Sequence, residues 1–494
     1  MKDSDLVLVF DCGSTNLRAA VVNPEGKIVC QSSSRNSPVR KNGDMLIWDL
    51  DDIWKKLCLL SRKVASKVGS KNIKAIIVTT WGADGAPVRK DGSLTYPIIS
   101  WQCPRIQEVV DKLLERISPW EIFQITGYQV MSMNTLFKIM WLKENEPKAI
   151  KEAYTWLMMP GLIVHRLTGE FHIEPTIAST MMAMDMRKRD WSADLLGLIG
   201  LDPSFFPEMK EPGEIAGYLK EDAAQECGLT SGIPVIVGAE DTQLSFISSK
   251  SEPGEAVLSS GTWEILGIRI NKFDPNRFAF ENGLIIEADV IPGFWIPQIL
   301  VIGSGVLEWI RNLFFQGASY KAMIKEAKAV PAGYNGVMLI PSFVSDVGPT
   351  RKYYTKGTLL GLTLQVSRGH VYRAALEGLS YQLRQAIEIV SMATKTSINK
   401  VKVVGGGARN ELWNQIRANV TKLPVCASMR SEATVAGAAL MAFVGIGFYK
   451  SLEDAWKIVS EREKLYEPIE NESKVYERIF TLYSRVPPSL KDFY

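Results

Sequence analysis

A chain of 494 residues, 46% hydrophobic and 22% charged, has ordinary globular composition and is too long for one core, so two or more domains are expected. Its net charge of +3 gives no electrostatic case for nucleic acid or an anionic membrane as a partner. Six scattered cysteines (12, 30, 58, 103, 227 and 426) without a C-x-x-C pair argue against a disulfide framework or zinc site, and with no signal peptide and no apolar run long enough to span a bilayer the expectation is a soluble cytoplasmic protein.

In chain order, residues 7–22 (VLVFDCGSTNLRAAVV) read as an apolar strand, a Gly/Ser/Thr turn and a second apolar strand. A strand at 27–33, an amphipathic helix near 52–68 and a buried strand at 75–80 follow. Asp91-Gly92 is the tip of a hairpin. Residues 105–167 read as largely helical, with 136–142 as a buried stripe. The stretch 233–243 (IPVIVGAEDTQ) is a strand that stops at an acidic pair, which delivers Asp241 to the end of a sheet, where α/β proteins bind ligands. The second half restarts with the same strand-turn-strand pattern at 256–267 (AVLSSGTWEILG). It continues through a helix at 306–313, a Gly/Pro-rich loop at 333–361 and a helix at 368–390. A strand then runs into Gly405-Gly406-Gly407, and helices follow at 408–423 and 434–444. The repeated pattern predicts two related domains with a cleft between them.

The turns at 11–18 and 259–263 let backbone N–H groups and hydroxyls approach an anion, and Asp11 at a strand end is placed to hold Mg²⁺ through water. Neither is a Walker loop, because Gly-Lys-Ser/Thr is missing. Asp241 reads equally as a general base or as the N-cap of the next helix. Asp84, in TTWGADG (79–85), reads as a sugar-binding carboxylate beside Trp81 or as a plain turn residue. Trp48, Trp101 and Arg105 line the same pocket or simply pack. His165, His172 and His370 have neither triad nor metal spacing.

Together these motifs resemble the FGGY carbohydrate kinases, and the match covers nearly the whole chain. Residues 11–18 and 259–263 resemble the family's two phosphate motifs, and VVGGGARNELW (403–413) with EATVAGAA (432–439) its adenosine motif. GLTLQVSRGHVYRAALEG (361–378) resembles its C-terminal signature, with Gln365-Val366 where a His is usual. Stretches 96–105, 134–145 and 258–266 are similar to the branch that acts on L-fuculose. That branch tends to carry His just before the catalytic Asp, where Glu240 stands, and the segment 341–358 also departs from it. Glycerol kinases place Arg where Ala83 stands, which argues against glycerol.

The resemblance implies two actin-like (ribonuclease H-like) α/β domains with a catalytic cleft. Residues 1–248 would carry sugar and base, and residues 249–494 the adenine nucleotide. It implies transfer of the γ-phosphoryl of ATP to a primary hydroxyl of a ketose, O1 of L-fuculose first, with L-rhamnulose, D-ribulose, D-xylulose and autoinducer-2 as alternatives. An actin-like ATPase and a sugar-responsive regulator are the readings from other classes. The implied roles are Asp241 as base and Asp11 at Mg²⁺. Gly13, Ser14, Thr15, Asn16, Gly261 and Thr262 would cradle phosphates, with Arg18 as their cationic partner. Gly406, Gly407 and Asn410 would lie at adenosine, and Asp84, Trp81, Trp101 and Arg105 at the sugar. A homodimer is left open.

Overall fold

The computed structural model describes residues 5–41, 43–333, 336–344, 347–429, 432–458 and 463–494. β1 (Leu6–Cys12) is apolar up to Asp11 and buried along its length, as strands are when helices cover both faces of a sheet. It turns back into β2 (Asn16–Val22) and β3 (Ile28–Arg35), an antiparallel meander. β4 (Ile73–Thr80) returns parallel to β1, and β5 (Ile215–Tyr218) and β6 (Pro234–Ile236) complete the order β5-β6-β4-β1-β2-β3.

The second sheet repeats the plan. β7 (Glu255–Ser260), β8 (Trp263–Gly267), β9 (Ile285–Ala288), β10 (Trp295–Ile302), β11 (Lys400–Val404), β12 (Val425–Ser428) and β13 (Glu463–Tyr466) lie in the order β9-β10-β8-β7-β11-β12-β13. Here β7, β8 and β10 form the meander, while β11 and β12 run parallel to β7. This is the two-domain α/β architecture, with related halves expected from the repeated strand-turn-strand signal and the actin-like plan from the family resemblance.

The helices that matter to the site are α1 (Leu50–Val68), α2 (Thr135–Asn145), α3 (Pro175–Thr180), α4 (Asp241–Ser248), α5 (Ser304–Phe314), α6 (Arg368–Thr394), α7 (Glu411–Thr421) and α8 (Ala433–Gly445). α1 shows the local logic. Asp49 caps it by accepting from Asp51 N and Asp52 N, and Ile53, Trp54, Leu57, Leu60 and Val64 form the buried stripe that lies on the sheet. α4 and α8 sit between the two sheets. Leu244, Ile247, Ala438 and Ala439 pack with Val7, Val9, Ala75 and Ile77 of the first sheet. Phe246 points the other way, onto Val257, Ile296 and Val404 of the second.

The segment 333–361 differs from the loop expected. Met338–Ile340 pairs with Thr358–Leu360, because a three-residue apolar run among Gly and Pro is too short to announce itself as a strand. Positions 334, 335, 345 and 346 lie outside the described residues. The helical stretch after 105 also contains a strand, Thr155–Met158, paired with Gly85–Val88. Among the described residues no helix is long and apolar enough to cross a membrane.

Candidate active site

After β6 the backbone passes Gly238, where a Cβ would lie 1.9 Å from Val78 O, so only glycine lets the chain rest on β4. Glu240 then pairs with Thr80, and its N–H donates to Thr176 Oγ1 at 2.8 Å. The Glu240 side chain is the N-cap of α4, accepting from Thr242 N (2.9 Å) and Gln243 N (3.1 Å). The N-cap reading of Asp241 is thereby removed. Asp241, the first residue of the helix, caps nothing; its carboxyl meets Thr242 Oγ1 at 3.3 Å and lies at the positive end of α4. Burial raises the pKa of both carboxyls, and the nearby Asp241 and Glu287 push Glu240 further up.

Asp11, the last residue but one of β1, lies beside this pair. Burial pushes its pKa to about 7; Arg18 opposes that rise, while Asp241 and Glu432 add to it. Arg18, expected at a phosphate, instead bridges carboxylates in this structure. The antiparallel register sets it opposite Asp11, to which NH1 donates at 3.1 Å, and the same atom pairs with Glu432 just before α8. Glu432, given no role of its own by the sequence, thus links the second half of the chain to the first.

The three small-residue turns lie at the ends of strands, as expected. Gly13 to Asn16 close the β1–β2 hairpin, with Gly13 N on Asn16 O (2.9 Å), and Asn36 braces it through Nδ2 to Gly13 O (3.0 Å). Ser14 is half-buried, while Thr15 and Asn16 are exposed. Gly261 and Thr262 close the β7–β8 hairpin, whose carbonyls accept from Gly303 N, Ser304 N and Gly305 N at the start of α5. In the third turn Gly406 is exposed, whereas Gly407 is packed so tightly that a Cβ would meet Ser260 Oγ at 1.9 Å. Asn410 differs from expectation. It is the N-cap of α7, accepting from Trp413 N (3.1 Å), and its amide donates to Tyr372 Oη (3.2 Å), so its polar atoms are used inside the protein.

Asp84 is enclosed by the protein. Its side chain is 0% exposed, as is that of Lys138, with which it forms an ion pair. Trp48 Nε1 (2.6 Å) and Trp81 Nε1 (2.8 Å) both donate to its second oxygen. The carboxylate thus accepts from both indoles, whose ring centroids are 4.6 Å apart, and orients them. Trp101 packs on the same cluster, and it and Arg105 are half-buried. Lys138 was missed by the sequence reading, although a lysine inside the apolar stripe of α2 is itself a signal of a buried partner.

α3 joins the two acidic groups. Glu174 caps it, accepting from Thr176 N (2.7 Å) and Ile177 N (2.8 Å), and burial raises its pKa to about 7. Thr176 holds Glu240 N. Thr180 Oγ1 accepts from Ala83 N at 2.9 Å, and Asn134 Nδ2 donates to Thr180 O at 2.9 Å. From the other half of the chain, buried Glu287 on β9 accepts from Tyr128 Oη (2.7 Å) and Gln243 Nε2 (2.6 Å), tying the second sheet to α4. The structure thus brings an acidic group (Asp11, Glu240, Asp241) close to the Trp48–Trp81 pair, with the small-residue turns set at strand ends of both sheets. Such an arrangement can orient a hydroxyl, take its proton and hold an anionic donor.

The family model for the FGGY family of carbohydrate kinases matches through its N-terminal domain at residues 6–248 and through its C-terminal domain at 256–446. L-fuculokinase of Escherichia coli (strain K12) is 40% identical over 454 residues, covering 91% of this chain and 94% of the relative. The L-fuculokinase of Haemophilus influenzae is 35% identical over 476 residues, covering 93% and 99%. Among solved structures, xylulose kinase from Rhodospirillum rubrum superposes with a TM-score of 0.88 at 22% identity, covering 99% of each chain. Plasmodium falciparum glycerol kinase with ADP superposes at 0.87 and 19% identity, covering 97% and 98%. The chain belongs to the FGGY family of carbohydrate kinases.

Proposed function

We propose that this chain transfers the γ-phosphoryl group of ATP to a primary hydroxyl of a ketose, with O1 of L-fuculose as the first acceptor. The sugar assignment is supported by the L-fuculokinases, 35–40% identical over more than nine-tenths of this chain. The observation that carries the mechanism is the division of labour at α4, where Glu240 caps the helix and Asp241 does not.

Asp241 accepts the hydroxyl proton as that oxygen attacks phosphorus, and ADP departs with the electrons of the broken P–O bond. A positioned base of this kind is worth roughly 10²- to 10⁴-fold. Positioning and charge neutralisation supply most of the rest. The amides and hydroxyls of residues 13–16 with Gly261 and Thr262 hold the phosphates, and Gly406 with Gly407 offers a flat surface to the nucleoside. Trp48 and Trp81, fixed by Asp84, and Trp101 with Arg105 shape the sugar side.

The acidic groups fit Mg²⁺. Asp11, whose carboxyl lies within reach of the Asp241 charge, would hold the ion through water, since Mg²⁺ keeps several of its waters. Mg²⁺ bound there would neutralise charge on the transferring phosphoryl group.

The test is coupled ADP release from Mg-ATP across L-fuculose, L-rhamnulose, D-ribulose and D-xylulose, with a sugar-free control. L-fuculose is expected to give the highest kcat/KM. A higher value for another ketose overturns the sugar assignment, and ADP release indifferent to every sugar overturns the kinase reading.

A further inference from the structure

One buried charge cluster is not used by the mechanism above. Arg417 on α7 and Glu264 on β8 form an ion pair with side chains 0% and 1% exposed. Ser260, opposite Glu264 in the β7–β8 register, donates to Glu264 Oε1 at 2.5 Å and accepts from Arg417 NH2 at 2.9 Å. Arg417 NH1 donates to Asn414 Oδ1 (2.9 Å), and Asn414 Nδ2 donates to Ala408 O (2.7 Å) in the glycine turn. The guanidinium also lies 3.6 Å from the Trp413 ring centroid.

Stability does not explain this cluster. A buried ion pair is on average no better than an apolar replacement of the same volume. This one also leaves Glu264 Oε2, Arg417 Nε and Trp413 Nε1 without hydrogen-bond partners among the described residues. What the cluster does is join two loops. One end holds Ser260, which immediately precedes Gly261 and Thr262. The other holds Ala408, which immediately follows Gly407, and the Gly407 backbone is packed directly on Ser260.

We infer that Arg417, Glu264 and Asn414 are positioning residues for the nucleotide, locking the β7–β8 phosphate turn to the glycine turn at the spacing an adenine nucleotide requires. The inference rests on the nucleotide half of the proposed function and is indifferent to which ketose is used.

The test measures the Kd of a non-hydrolysable ATP analogue with Mg²⁺ by calorimetry, alongside Tm and the two KM values. In Glu264→Leu/Arg417→Met both charges leave together, so Tm should stay within a few degrees. Kd and nucleotide KM should rise about tenfold, or about 1.4 kcal/mol, with ketose KM within about twofold of the parent. A folded double variant with unchanged Kd, or one whose ketose KM rises as much as its nucleotide KM, overturns the inference. Asn414→Ala leaves the ion pair in place and removes the Asn414 bridge between Arg417 NH1 and Ala408 O, so it decides the matter should the double variant fail to fold. Its Kd should rise at least about threefold, and an unchanged value refutes the coupling. Because binding is read directly, a wild-type protein that binds the analogue but phosphorylates no ketose would sink the proposed sugar and leave this inference standing.

Discussion

Lys138 is expected to be the costliest single side chain on the sugar side. Lys138→Met leaves the Asp84 carboxylate, 0% exposed, with only the Trp48 and Trp81 N–H donors, and takes from Ala83 O one of its two donors, Nζ at 2.6 Å, leaving Thr135 Oγ1 at 2.9 Å. Breaking a buried pair from one side costs about 3–5 kcal/mol. The two remaining indole bonds keep the expected value near the lower end, about 3 kcal/mol. Asp84→Asn is expected to cost less, because burial already lowers the pKa of Lys138 and the amine can shed its proton. Asp84→Asn/Lys138→Met should then lose at least about 1.5 kcal/mol less than the sum of the singles, within the range of coupled pairs. Urea unfolding followed by tryptophan fluorescence suits the question, since Trp48 and Trp81 both touch Asp84. Single losses that add within about 0.5 kcal/mol, or a Lys138→Met cost below about 1 kcal/mol, would refute the reasoning.

Asp241→Asn should keep analogue binding and lose at least about 10²-fold in kcat; near-normal turnover removes Asp241 from the base role. Glu240→Ala should show the reverse, a stability loss of about 0.5–2 kcal/mol from the missing cap, with kcat falling far less than in Asp241→Asn. A kcat loss equal to that of Asp241→Asn would show that Glu240 shares the chemistry. Glu174 has its pKa raised from 4.5 to about 7 by burial, so the folded state binds its proton more tightly than the unfolded state does. Its contribution is therefore present at acid pH and is lost as pH rises through about 7, by about 3 kcal/mol at most. Glu174→Gln should flatten the decline in Tm between pH 5 and 7.5, and an unchanged slope contradicts the assignment.

The fold was legible because its signals are local. β1 and β4 are apolar runs bounded by turns, and the meander recurs in the second half with the same small residues at its tip, so duplication shows without any knowledge of packing. What could not be read is that α8, from the second half of the chain, packs on the first sheet through Val435, Ala438 and Ala439. An Ala/Gly-rich helix announces close packing but not which sheet it will meet.

The site divides along the same line. The glycine turns and the acidic strand end are properties of short stretches and are where they were expected. What the sequence did not show is the protein partners of Asp84, Arg18 and Asn410, which the family resemblance placed at ligands. In the structure each is engaged by the protein: Asp84 by Lys138, Arg18 by Asp11 and Glu432, and Asn410 by Trp413 N and Tyr372. The cap went to Glu240 although short side chains are preferred at that position, because Thr176 fixes the Glu240 backbone first and the longer carboxylate can still reach two amides. The pairings of Asp84 with Lys138, Arg18 with Glu432, Asn410 with Tyr372 and Glu240 with Thr176 each join residues more than thirty positions apart, and local pattern carries no information about them. The same pairings give the helix cap to Glu240 and not to Asp241, a division that shows only after the partners of both neighbours are known.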